Sequence, residues 1–243
     1  MRPPCDQAVI ESGPAAVPCT KAAEPWILAV TILGSSMAFI DNTVVNVALP
    51  AIQRNLGGTV IDVQWVVEGY GLLLSTLILA GGGATGDVFG RRQMFLVGVS
   101  VFAIASAGCS LAANIHELVA ARAVQGFGAA FLVPGSLSII SASFSEQERG
   151  RAIGTWSGFT SIATATGPVL GGWLIENASW RWVFFINLPL AAAVIALSLM
   201  RVPESRIKTH SHIDWTGTDR NCRFGRSDVR IYRIRQLGLF GEL

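Results

Sequence analysis

Charge is what this sequence has least of. Only 14% of its 243 residues are Asp, Glu, Lys or Arg, against about 25% in an average soluble domain. The shortage is uneven. Residues 26–202 carry eight arginines and eight acids, 16 charges in 177 positions with no net charge. The last 41 residues carry 13 charges and the first 25 carry five. A central block this poor in charge argues against an ordinary soluble domain, a disordered chain or a nucleic-acid binder. It belongs in a lipid bilayer.

Reactive clusters are missing as well. Cys5, Cys19, Cys109 and Cys222 show no C-x-x-C spacing, which argues against a disulfide framework and a thiolate metal site. His210 and His212 lack a third ligand, so no metal is expected. Gly81-Gly82-Gly83-Ala84-Thr85-Gly86 satisfies the G-x-G-x-x-G spacing. It follows a run long enough to span a membrane, however, with no βαβ unit and no acid about 20 residues on, so dinucleotide binding is not expected. With no nucleophile–base pair either, neither an enzyme nor a cofactor is expected. The first 25 residues lack the basic start and unbroken apolar run of a secretory signal. Pro3, Pro4, Pro14, Pro18 and Pro25 make them an extended, unfolded lead-in.

What is present is apolar length. A spanning helix needs about 20 mostly apolar residues, and six segments qualify, at roughly 26–49, 65–84, 94–113, 118–141, 152–175 and 182–200. The expected architecture is an all-α membrane protein with six transmembrane helices. Lys and Arg set its orientation. With the N-terminus inside, Arg2, Lys21, Arg91, Arg92, Arg149, Arg151, Arg201, Arg206 and Lys208 fall on the inner side, and Arg54 and Arg181 on the outer. Both ends are therefore expected in the cytoplasm, in a cell (inner or plasma) membrane. Trp65, Trp180 and Trp182 fall at expected interfaces.

Charges inside spans are functional candidates, because each costs about 2.5–3.5 kcal/mol to insert at a helix centre. Asp41 interrupts the first span, followed by Asn42, Thr43 and Asn46. Arg122 lies in the fourth span, with Gln125 one turn on. Both charges fall in the outer half of the membrane, so an acid and a base at similar depth can share a polar cavity and exchange a proton. The alternatives are a structural hydrogen bond for Asp41 and snorkelling to the interface for Arg122. Glu68, one turn inside the second span, either lines the mouth of a cavity or snorkels. The inner loop from Gly83 to Arg92 combines turn-forming glycines with Asp87, Gly90, Arg91 and Arg92, a pattern suited to a latch between helix ends. In the fifth span, Gly167, Pro168, Gly171 and Gly172 combine a bend with close packing.

Five of these stretches, in order, resemble the major facilitator superfamily. The nearest branch is the multidrug efflux proteins that are drug:proton antiporters with fourteen membrane helices. Phe39-Ile40-Asp41-Asn42-Thr43-Val44-Val45-Asn46 is similar to that branch's first-helix motif. Gly83–Arg92 resembles the loop motif, Leu118–Ala130 the fourth-helix motif, Gly167–Gly172 the fifth-helix antiporter motif, and Trp180–Pro189 a further signature. The resemblance implies one half of a major-facilitator fold, built as two three-helix repeats. It also implies proton coupling at Arg122, a polar cavity around Asp41, Asn42, Asn46 and Gln125, and a conformational latch at Gly83, Asp87, Gly90, Arg91 and Arg92. Bending would fall to Gly167, Pro168, Gly171 and Gly172. The implied function is proton-coupled efflux of small hydrophobic or cationic compounds. Its partners would be the bilayer, the substrate, protons and a second half or second copy, and no nucleic acid. The alternative is a transport-inactive half that partners an intact transporter.

The expected organisation is a leader at 1–25, a six-helix membrane half at 26–202 and a basic cytoplasmic tail at 203–243. The resemblance stops near Gly217. Beyond it Arg220, Arg223, Arg226, Arg230, Arg233 and Arg235 follow neither heptad order nor a sustained apolar face. Residues after about 217 are therefore expected to be read out of frame, the alternative being a basic tail lying on anionic lipid.

Overall fold

The computed structural model describes residues 23–79 and 90–202, all within one compact unit, Met1–Lys208. Most of the expected leader, the loop residues Gly83 and Asp87, and the tail from residue 203 with its expected change of frame lie outside the described residues. The described residues form α1 (Glu24–Leu56), α2 (Val60–Leu79), α3 (Arg91–Leu111), α4 (Ile115–Ser143), α5 (Glu146–Asn177), α6 (Trp182–Phe185) and α7 (Asn187–Arg201), with no strand among them. The short α6 and the longer α7 together form the sixth apolar run, Trp182–Arg201.

The first five helices start earlier than their apolar runs, and at α2, α4 and α5 polar side chains mark the difference. Asn114 caps α4 by accepting from the Glu117 N–H at 2.9 Å, while the Glu117 carboxylate reaches back to the Ala113 N–H at 2.8 Å. Thr59 and Asp62 form the same reciprocal arrangement at the start of α2, and Ser145 donates to Glu148 at the start of α5. The first two pairs are capping boxes, which satisfy backbone donors no apolar pattern reveals; Ser145 and Glu148 share the spacing but bond only through their side chains. At its other end α1 runs to Leu56 and stops at Gly57, whose φ of 65° lets its N–H turn back to Gln53.

The sixth run divides at Ile186. Pro189 has no N–H to offer the carbonyl of Phe185, so the hydrogen-bond ladder lapses there and resumes from Asn187. Ile186 keeps helical dihedrals (φ −61°, ψ −24°), so the chain continues in the same sense.

Five of the six runs are long and apolar enough to cross a membrane. The exception, α5, has the length, 32 residues, but is rich in Gly, Ser and Thr. Four of its hydroxyls are satisfied within the helix: Thr155, Thr160, Ser161 and Thr164 each donate to the carbonyl four residues back. That lowers the cost of placing them away from water. Ile104, Leu111, Val169 and Met200 are largely exposed on the outside of the bundle, as lipid-facing side chains are.

Packing is most extensive between α3 and α4, α2 and α4, and α1 and α5. Exchanging the first three spans with the last three maps the α1–α5 contact onto α4–α2, the relation expected of two three-helix repeats. Glycine lets the backbones meet. A Cβ on Gly126 would overlap the Tyr70 carbonyl oxygen, and one on Gly128 would lie 2.6 Å from the Phe102 nitrogen.

The interior divides into two apolar clusters. One contains Ala38 of α1, Phe102 of α3, Ala129 of α4 and Ala191 of α7. The other contains Val44, Cys109 and Leu118 of those first three helices, with Phe184 of α6. On each of these chains a buried polar residue falls between the two: Asp41, Ser106, Arg122 with Gln125, and Asn187. A polar layer separates two apolar ones.

Candidate functional site

That layer is the candidate site. Arg122 is wholly inaccessible and Asp41 is 1% exposed, and the two form a salt bridge between Arg122 Nη1 and Asp41 Oδ2. The rest of the guanidinium is held as tightly. Its Nε donates to the Val66 carbonyl at 3.2 Å, and Nη1 also donates to Gln125 Oε1 at 2.9 Å. The Tyr70 ring lies under the cation at 4.2 Å, with Phe184 further off at 5.9 Å. Contacts of this kind partly replace the water that a buried cation loses.

The other carboxylate oxygen, Asp41 Oδ1, accepts from Gln125 Nε2 at 3.0 Å and Asn187 Nδ2 at 3.1 Å. Asn187 Nδ2 also donates to Ser106 Oγ at 3.0 Å, and Ser106 donates to the Phe184 carbonyl at 2.8 Å. Cys109 donates to Gln125 Oε1 at 3.6 Å. Five chain segments thus converge on one ion pair held 81 residues apart in sequence. Three donors, two from amides and one from a permanent cation, meet on one buried carboxylate.

Of the residues singled out from sequence, Asp41, Arg122 and Gln125 come together. Arg122 does not snorkel. Asn42 and Asn46 lie one turn apart on the exposed side of α1, away from the ion pair, with Asn46 donating to the Asn42 carbonyl. Glu68 is exposed on α2 and accepts from Gln64. The loop candidates divide: Gly83 and Asp87 lie outside the described residues, while Gly90 precedes α3. Arg91 donates to the Ser138 carbonyl, and Arg92 to the Val202 carbonyl at 2.8 Å. These bonds tie the start of α3 to α4 and to the end of α7.

The fifth-helix glycines divide in the same way. A Cβ on Gly167 would overlap Thr43 Oγ1, and one on Gly171 would lie 3.0 Å from Val44 Cγ1 and 3.3 Å from the Val44 carbonyl. The α1–α5 seam therefore closes two and three residues past Asp41. Pro168 points outward, and a Cβ on Gly172 would meet nothing within 4 Å.

Sequence reasoning missed Asn187, Tyr70 and Ser106. The available signal was a carboxamide at the head of an apolar run inside Trp180–Pro189. That stretch is anchored at its start: Trp180 donates to Asn55 Oδ1 at 3.2 Å and Arg181 to the Ser110 carbonyl at 2.6 Å.

Comparison with known proteins agrees with this architecture. Residues 31–232 match the Major Facilitator Superfamily. A multidrug resistance protein, Stp, of Mycobacterium tuberculosis is 43% identical over 191 residues, covering 78% of this chain and 35% of the relative. A methylenomycin A resistance protein of Bacillus subtilis is 41% identical, covering 77% and 41%. A tetracenomycin C resistance and export protein of Streptomyces glaucescens is 39% identical, covering 75% and 34%. The chain thus spans between a third and about two fifths of the length of these relatives. Among solved structures, a bacterial homologue of the human lysosomal transporter Spinster, inward-facing and unoccupied, superposes with a TM-score of 0.61 at 20% identity. It covers 80% of this chain and 47% of that one. The human organic anion transporter MFSD10 gives 0.60 at 18% identity, covering 75% and 48%. The chain is a multi-pass membrane protein and belongs to the Major Facilitator Superfamily.

Proposed function

We propose that the chain is one half of a transporter that exports small hydrophobic or cationic compounds in exchange for protons, with Asp41 as the proton-binding group and Arg122 as its partner. The observation that carries this reading is the buried Asp41–Arg122 pair. A charge pair in a bilayer interior is costly and rarely kept for stability alone. The names of the relatives, which speak of resistance to and export of antibiotics, support the substrate class.

Proton binding at Asp41 would remove its negative charge and loosen its hold on Arg122, so that α1 and α4 could shift against each other. The glycine seam between α1 and α5 lies next to that event and offers a smooth sliding surface. Arg91 and Arg92 would set the resting position at the other end of α3. Alternating access uses two such halves about a central site, so exchange is a property of this half joined to a second. Among the described residues, the excess of Arg at the end that holds the starts of α1 and α3 and the end of α7 supports a cytoplasmic position for that end.

The test is drug-driven proton movement in inverted membrane vesicles carrying the whole transporter, followed with a pH-sensitive dye. Adding a cationic substrate to respiring vesicles should release stored protons, and Asp41→Asn at equal expression should abolish the release. Release undiminished in Asp41→Asn would remove Asp41 from the coupling role.

A further inference from the structure

Asp41 Oδ1 and Oδ2 stand in different company. Oδ2 faces the Arg122 guanidinium, which carries donors only and does not give up a proton in proteins. A proton arriving at the carboxylate therefore settles on Oδ1. That oxygen is met by two N–H donors, from Gln125 and Asn187. Once Oδ1 carries a hydrogen, two donors and one O–H point at each other, and one amide has to turn.

The two amides are not equally able to do so. Gln125 Oε1 is already engaged by Arg122 at 2.9 Å and by Cys109. Turning it would put an NH2 group against a guanidinium. Asn187 is 1% exposed, and its Oδ1 is buried with no hydrogen-bond partner. An acceptor left empty in a buried polar layer is unfavourable unless something uses it. The rotation exchanges Nδ2 for Oδ1 opposite Ser106 Oγ, which can answer by turning its hydroxyl from the Phe184 carbonyl to Asn187 Oδ1. The side chain sits at the α6–α7 junction, where rotation about its terminal bond demands no movement of a helix.

We infer that Asn187 is a positioning residue for Asp41 that serves both of its protonation states, donating from Nδ2 to the carboxylate and rotating to accept through Oδ1 from the carboxylic acid. The inference rests on the reading above, in which Asp41 takes up a proton. The arriving proton ends on Asp41 Oδ1, and Asn187 keeps both of its own. The other ionisable groups that act on Asp41 are Arg122 of α4, Tyr70 of α2 and Cys109 of α3. On α5 the ionisable side chains are confined to the first two turns and Glu176, and on α7 to Arg201.

The experiment is acid-induced infrared difference spectroscopy on the 243-residue chain in a lipid film, which needs no transport. Acidification should raise a protonated-carboxyl band together with a paired loss and gain in the side-chain amide C=O region. In Asn187→Leu the carboxyl band should remain and the amide feature vanish; in Asp41→Ala the amide feature should vanish while the bands of the other carboxyl groups persist. If Asn187→Leu does not fold, asparagine labelled with carbon-13 at its side-chain carbonyl decides on the unmutated chain, because the amide feature must move with the label. An amide feature that persists in Asp41→Ala or ignores the label would overturn the inference, as would an unmutated chain with no acid-induced amide feature. Absence of that feature beside transport that Asp41→Asn abolishes would remove the Asn187 role alone. Its presence beside transport indifferent to Asp41→Asn would remove only the coupling role.

Discussion

At Asp41 and Arg122 the chain keeps two charges where neither is tolerable alone. The pair is bridged by Gln125, which donates to one partner and accepts from the other. Removing a single member leaves the other buried and uncompensated, which typically costs about 3–5 kcal/mol. Asp41→Asn and Arg122→Gln should each lower the midpoint of denaturant unfolding in micelles. The double variant should lose less than the two losses added, by a coupling of about 0.5–3 kcal/mol. Strict additivity would mean that the two side chains do not depend on each other. Both charges were legible in the sequence because an ionised residue stands out in an apolar run. Asn187 was not, because an amide at the head of an apolar helix looks like an ordinary interface residue. Only the fold shows that it lies against an acid 146 positions earlier.

The helices themselves were legible as apolar stretches, while their ends were set by chemistry that hydropathy passes over. The capping pairs Thr59–Asp62 and Asn114–Glu117 extend α2 and α4 beyond the apolar runs, the Ser145–Glu148 side-chain bond marks the early start of α5, and Pro189 divides the sixth. The fifth-helix motif also proved to be two kinds of position. Gly167 and Gly171 lie in the α1–α5 seam, whereas Gly172 faces open space. Gly167→Val should therefore force α1 and α5 apart at Thr43, beside the ion pair, and sharply reduce folded protein recovered in detergent. Overpacking of this kind costs about 1–3 kcal/mol or more. Gly172→Val should leave recovery close to that of the unmutated chain. Equal damage from both would show that the motif acts through backbone freedom and not through the seam.

For the whole molecule, orientation connects the charge pattern to the proposed exchange. The end that holds Trp26, Arg92, Arg201 and Val202 is drawn together by Arg92 on the Val202 carbonyl and by Arg201 over the Trp26 ring at 4.9 Å. The opposite end is drawn together by Trp180 on Asn55 and Arg181 on Ser110. Among the described residues most of the basic side chains belong to the first end, and basic residues stay on the side where the chain is made. Alkaline phosphatase inserted between α1 and α2, at Gly58, should therefore be active in a bacterial host, while a fluorescent protein fused before α1 should mature and glow. Asp41 lies on the α1–α2 side of the polar layer, with Val44 and Ile52 between it and Gly57. In this orientation a proton reaches Asp41 through the outer apolar cluster, the side from which an exporter driven by inward proton flow must load it. The reverse fusion pattern would put that cluster on the cytoplasmic side, and proton entry from outside would then have to cross the larger apolar cluster around Phe95 and Phe102.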